Sequence, residues 1–101
     1  MLQASWEDRD NTLWIELEGD LDHQDCLDLR DEFQERIAKS KGDVVIVLAG
    51  VGFLSSFGIG MMLGASKLLA ERGNQLKLSG TPERIQELLK TMSLLDAFTL
   101  I

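Results

Sequence analysis

Between Val44 and Ser66 the chain carries no charged residue, and this strip constrains the fold more than any other feature. It opens as VVIVLAG, with four β-branched residues in succession and no polar alternation. So short and apolar a run predicts a buried central strand, covered on both faces by other elements of a layered domain. Glycines follow it, so the apolar run falls well short of the roughly 20 residues a membrane span needs. The strip then changes period. Ile59, Met62, Leu63 and Leu69 predict a helix over Gly58–Arg72, with Gly73-Asn74 as a left-handed stop.

The segments around this strip have the periods of sheet partners and covering helices. In TLWIELEG, residues 12–19, Leu13, Ile15 and Leu17 point one way and Trp14, Glu16 and Glu18 the other, which predicts a strand with one wetter face. Leu2–Trp6 reads as its hairpin partner across the polar turn EDRDN. Residues 24–39 space Cys26, Leu29, Phe33 and Ile37 by three or four, the stripe of an amphipathic helix, with Asp22 as N-cap and Asp25 in the first turn. Gln75–Ser79 is a short strand. Thr81 is expected to cap a third helix with Pro82 at its first position, and Leu94–Leu100 to close the chain through a terminal strand. The order β-β-α-β-α-β-α-β predicts one α/β domain over residues 1–101, a mixed sheet with its helices mainly on one side. The Trp14 face would then be shielded only by side chains or by a partner.

Charge narrows the partners. The 101 residues carry a formal net charge of −7. Residues 1–43 hold thirteen acidic and five basic side chains, net −8; residues 44–101 are near neutral at +1. Such a balance argues against nucleic acid or an anionic membrane held by bulk electrostatics, since polyanions need a basic footprint. The acidic half serves solubility or steers a basic protein partner. The lone cysteine, Cys26, makes no internal disulfide, and the N-terminus shows no positive leader; both fit a cytoplasmic protein.

The inventory for chemistry is thin. One histidine and one cysteine are too few for a zinc site, and no other metal or cofactor is expected. Cys26 falls on the apolar stripe, and Asp20 and Asp22 are ordinary turn and cap residues. Gly50, Gly52, Gly58 and Gly60 follow a buried strand, yet their spacing is not that of a dinucleotide fingerprint, and no Walker lysine follows. There remain Ser55 and Ser56, between strand and helix. Hydroxyls there either cap the helix or sit beside free N–H groups that favour a phosphate.

Three phrases together resemble the STAS domain family of anti-sigma factor antagonists: LWIELEGDLDHQDCLDLRDEF, VVIVLAGVGFLSSFGIGMML and LKLSGTPERIQELLKTMSLLDAFTLI. Gly19, Asp20, Leu21 and Asp22 fall on the family's Gly-Glu/Asp-Leu-Asp turn, and His23 also has counterparts there. In the antagonists the second phrase ends Phe/Met-x-Asp-Ser-Ser/Thr-Gly-Leu-Gly. Laid on it, Ser55 stands where the family has aspartate and Ser56 takes the place of the phosphorylated serine. Phe57 replaces the second hydroxyl residue, and Gly58, Ile59 and Gly60 take Gly-Leu-Gly. Ser55 for aspartate removes a carboxylate beside the acceptor, and Ser55 is the alternative acceptor.

The resemblance implies a regulatory protein-binding domain and not an enzyme. Its expected partner is an anti-sigma factor or a histidine-kinase-like serine kinase, released when Ser56 is phosphorylated. Asp20, Asp22, His23, Ser55, Ser56, Phe57 and Gly58 would form the docking surface. The alternative is a constitutive partner or scaffold, like a stressosome subunit or the STAS partner of a lipid-transport ATPase. A homodimer is open in either case.

Overall fold

Asp10 and Asn11 both adopt left-handed backbone, at φ 51° and 67°, and turn the chain back after its first seven-residue strand. These are the residue types that tolerate such angles, and a two-residue turn with both positive is the hairpin turn that matches sheet twist. The computed structural model describes residues 2–101. The hairpin joins β1 (Gln3–Arg9) to β2 (Thr12–Leu21); then follow α1 (His23–Lys39), β3 (Val44–Leu54), α2 (Ser56–Glu71), β4 (Leu76–Ser79), α3 (Glu83–Thr91), a 3₁₀ turn at Leu95–Ala97 and β5 (Thr99–Leu100).

The five strands lie in chain order, β1-β2-β3-β4-β5; β1 and β2 are antiparallel and every later pair is parallel. Each crossover therefore steps the same way across the sheet. Right-handed steps in one direction put α1, α2 and α3 on one face, as the sequence suggests. Leu13, Ile15, Leu17, Val44, Ile46, Leu48, Leu76 and Leu78 enter one core cluster with Phe33 and Ile37 of α1, Met62 and Leu69 of α2, and Ile85 and Leu89 of α3. On α1, Glu32–Arg36 and Glu35–Lys39 pair along the exposed side at i,i+4.

The opposite face corrects the expectation for β3. Among the described residues no second layer covers it: Val47 is half-buried and Ala49 exposed. Val45 alone is sealed, at 2% exposure, between its register neighbours Trp14 and Lys77. Arg9 lies over the Trp14 ring at 4.1 Å and Lys77 pairs with Asp43, so long side chains laid flat do the covering.

Helix ends supply further corrections. α2 starts at Ser56, two residues before Gly58. It ends in a Schellman pattern: Gly73, at φ 84°, donates its N–H to Ala70 and Asn74 donates to Leu69. Pro82 rather than Thr81 is the N-cap of α3, with no side-chain bond, and the Thr81 hydroxyl oxygen is buried without a partner among the described residues.

Candidate functional site

β2 and β3 run parallel and finish together at Leu21 and Leu54. Their register slips between Glu16 and Glu18 and again between Gly19 and Asp20. The second slip leaves Gly52 of β3 unpaired, and beside it Gly19 of β2 takes a φ of 109°, a backbone angle that glycine alone adopts freely. β2 keeps its alternation through both slips and β3 regains its own after the second: Leu21 and Leu54 go into the core, while their neighbours Asp20 and Phe53 pair on the outside. Phe53 is 49% exposed, unusual for a ring on a strand. The Ser55 N–H donates to the Leu21 carbonyl at 2.9 Å and stitches the two chain segments as they leave the sheet.

Each segment then enters a helix. Asp22 caps α1, its carboxylate accepting the Asp25 N–H at 2.8 Å. Ser55 caps α2 in the same way: its hydroxyl accepts the Gly58 N–H at 3.1 Å. Ser56 is the first helical residue and is exposed. Its N–H and that of Phe57 have no intrahelical acceptor, because the first turn of any helix leaves such donors free.

The two helix starts touch. A Cβ on Gly58 would lie 3.0 Å from Leu54 Cδ1, 3.3 Å from Cys26 Sγ and 3.4 Å from Leu21 Cβ, so the absent side chain is what lets α2 approach α1. Above this contact the His23 and Phe57 rings meet edge to face, centroids 5.0 Å apart at 71°. Burial pushes the Cys26 thiol above its ordinary pKa, against the opposing effect of its hydrogen bond with Ser55; the Asp22 and Asp25 charges raise it further. A protonated, fully buried thiol is no nucleophile.

The sequence-derived set thus gathers at one end of the sheet, with divided roles. Asp20, His23 and Ser56 are exposed; Ser55 and Phe57 are half-buried. Asp22 and Ser55 spend their side chains on caps, and buried Gly58 works through its lack of a side chain. Two neighbours escaped sequence reasoning. Phe53 lies outside the docking set that the resemblance implies, although the inward alternation of Val44, Ile46 and Leu48 leaves it on the outer face beside Asp20. Arg84, from α3, donates to the Gly52 carbonyl at 3.3 Å, which brings a cation to an otherwise acidic margin, a placement no local pattern signals. The arrangement offers an exposed hydroxyl at a helix N-terminus, where an added anion is favoured. Among the described residues no group of three or more His, Cys, Asp or Glu side chains could hold a metal ion.

The family model described as "Mlab, STAS domain" matches residues 5–100. The chain belongs to the STAS domain family. This STAS domain is 28% identical over 89 residues to an anti-sigma F factor antagonist of Paenibacillus polymyxa, covering 87% of this chain and 76% of that protein. It is 28% identical over 87 residues to the anti-sigma-B factor antagonist of Bacillus subtilis, covering 86% and 79%. The unphosphorylated anti-sigma factor antagonist SpoIIAA shares its fold, with a TM-score of 0.82 at 19% identity over 98% of this chain and 88% of that one. SpoIIAA in its phosphorylated form shares it too, at 0.77. The domain is thus anti-sigma factor antagonist-like, and its relatives are named for regulation, not catalysis.

Proposed function

We propose that this STAS domain is a protein-binding switch, docking an anti-sigma factor or a histidine-kinase-like serine kinase in the cytoplasm through the end of the sheet that carries Ser56. One observation carries the reading. Ser55 holds the cap of α2, so the adjacent exposed Ser56 is free for modification. Ser55, standing where the resemblance puts an aspartate, has its oxygen engaged in the cap, which leaves Ser56 the better acceptor of the two. Phosphorylation would add about −1.5 to −2 charges beside Asp20 and Asp22. The partner surface, matched to a neutral hydroxyl, would face a desolvated anion and let go. Phe53 and Phe57 would supply the apolar contact, with Asp20 and His23 at its rim.

The test takes the histidine-kinase-like ATPase encoded nearest this gene. Intact mass and peptide mapping after incubation with ATP should place phosphate on Ser56, retained in Ser55→Ala and lost in Ser56→Ala. Ser56→Ala should still bind, and Ser56→Asp should bind at least tenfold more weakly, about 1.4 kcal/mol. A second reading, a constitutive partner subunit, is favoured by the Phe57 ring, which fills the place of the second hydroxyl and is already seated against His23. Absence of phosphate on any form, with equal binding by wild type and Ser56→Asp, would reject the switch in its favour.

A further inference from the structure

β1 is an end strand of the sheet and pairs only with β2 among the described residues, so one edge of its backbone faces outward with unpaired N–H and C=O groups. Native edges are usually blunted by charge. Here the charges sit at the far end, in Glu7, Asp8 and Arg9, while Gln3–Trp6 carries none. Beside this uncharged stretch a groove of about 330 Å³ opens between β1 and α1. Half-buried Ala4, Trp6 and Leu29 form its floor. Asp25, Asp28 and Glu32, on successive turns of α1, form its rim. Arg36 supplies one cation of its own, 4.6 Å over the Trp6 ring and paired with Glu32 at 3.0 Å.

We propose that this edge binds an extended, lysine- or arginine-bearing segment of a partner protein by strand addition to β1. The three parts of the site fit one ligand. The open edge supplies main-chain hydrogen bonds to an added strand. Alternate side chains of that strand would fall over α1, where a lysine can lay its methylene stem on the apolar floor and its ammonium among the carboxylates. The charge decides between occupants. A second copy would bring its own acidic rim against this one, and residues 1–43 carry a net −8. A basic segment is complementary. This surface borders the Ser56 end at Asp25, whose N–H Asp22 caps, but it does not include Ser56 and does not rest on the switch.

The probe is a fluorescein-labelled nine-residue peptide of alternating lysine and threonine, with its glutamate–threonine counterpart as control, titrated into the intact chain by fluorescence anisotropy. The double variant Asp28→Lys/Glu32→Lys should weaken binding of the lysine peptide at least tenfold. Glu71→Lys/Glu87→Lys changes net charge equally on exposed positions outside the groove and should weaken it less than threefold. Ser56→Asp should leave it unchanged. Amide exchange within Gln3–Trp6 should slow when the lysine peptide binds. Equal weakening by both double variants, no binding, or protection confined to other elements would overturn the proposal. So would β1 protection that grows with protein concentration in the absence of peptide, which would assign the edge to a second copy.

Discussion

Ser55 and Ser56 are neighbours of the same chemistry with different work, and one hydrogen bond separates them. Ser55 Oγ satisfies the Gly58 N–H; Ser56 lies exposed one residue on. Ser55→Ala should therefore destabilise the domain by about 1 kcal/mol, the usual worth of an N-cap, while Ser55→Asp should keep the cap and most of that stability. Urea unfolding followed by Trp fluorescence measures both, and equal losses in the two variants would refute the capping role. The sequence alone left the pair open, because both serines stand where a cap is expected. Asp22 was legible as a cap, since it precedes a clear apolar period and its bond to the Asp25 N–H is local. Thr81 was misread for the opposite reason. It has the favoured chemistry, but the chain enters α3 one residue later through Pro82.

At the scale of the element, β3 shows where periodicity stops being informative. Its apolar start was plain, yet the strand runs on through Gly50 and Gly52 to Leu54, in a stretch that composition marks as loop. Pairing with β2 holds it extended, and no local signal carries that pairing. The far end of the strand is fastened by Asp43. Its carboxylate accepts the Gln75 N–H at 2.9 Å and the Asn74 amide at 3.3 Å, and pairs with Lys77 at 3.3 Å, tying the approach to β3 to that of β4. The Gln75 bond, opposed by partial burial and helped by Lys77 and Asn74, holds the Asp43 pKa below its ordinary value. A carboxyl whose folded pKa is lowered stabilises above its unfolded value, near 3.9, and loses that contribution as pH falls through the folded value. Asp43→Asn should thus be less stable than wild type at pH 7, with the gap closing as pH drops below about 4. Denaturant midpoints across pH check this, and a gap that stays constant down to about pH 2 would contradict it.

Across the whole molecule the fastening is uneven, and the gradient runs away from the candidate site. The β2–β3 ladder extends from Leu13–Val44 to Leu21–Leu54; β3–β4 reaches only from Val44–Leu76 to Val47–Ser79, and β4–β5 is confined to Lys77–Thr99 and Leu78–Leu100. The site stands on the two longest-paired strands and on helices locked together at Gly58 and Cys26. That rigidity would suit the partner docking proposed for this end of the sheet. The terminal segment is anchored more lightly, by Phe98 in the core, the Ile101 N–H on the Leu78 carbonyl and the Ser66 hydroxyl on the Ala97 carbonyl. Local opening follows the density of buried apolar and ladder contacts, so β5 should open without the rest. Native-state amide exchange in low denaturant should place Ile15 and Ile46 at the global unfolding free energy. Leu100 and Ile101 should exchange through openings costing far less, with a weak dependence on denaturant because little surface is exposed. If Leu100 exchanged only with Ile46, β5 would belong to the same cooperative unit as β2 and β3. The stability gradient inferred from the shortening ladders would then be wrong.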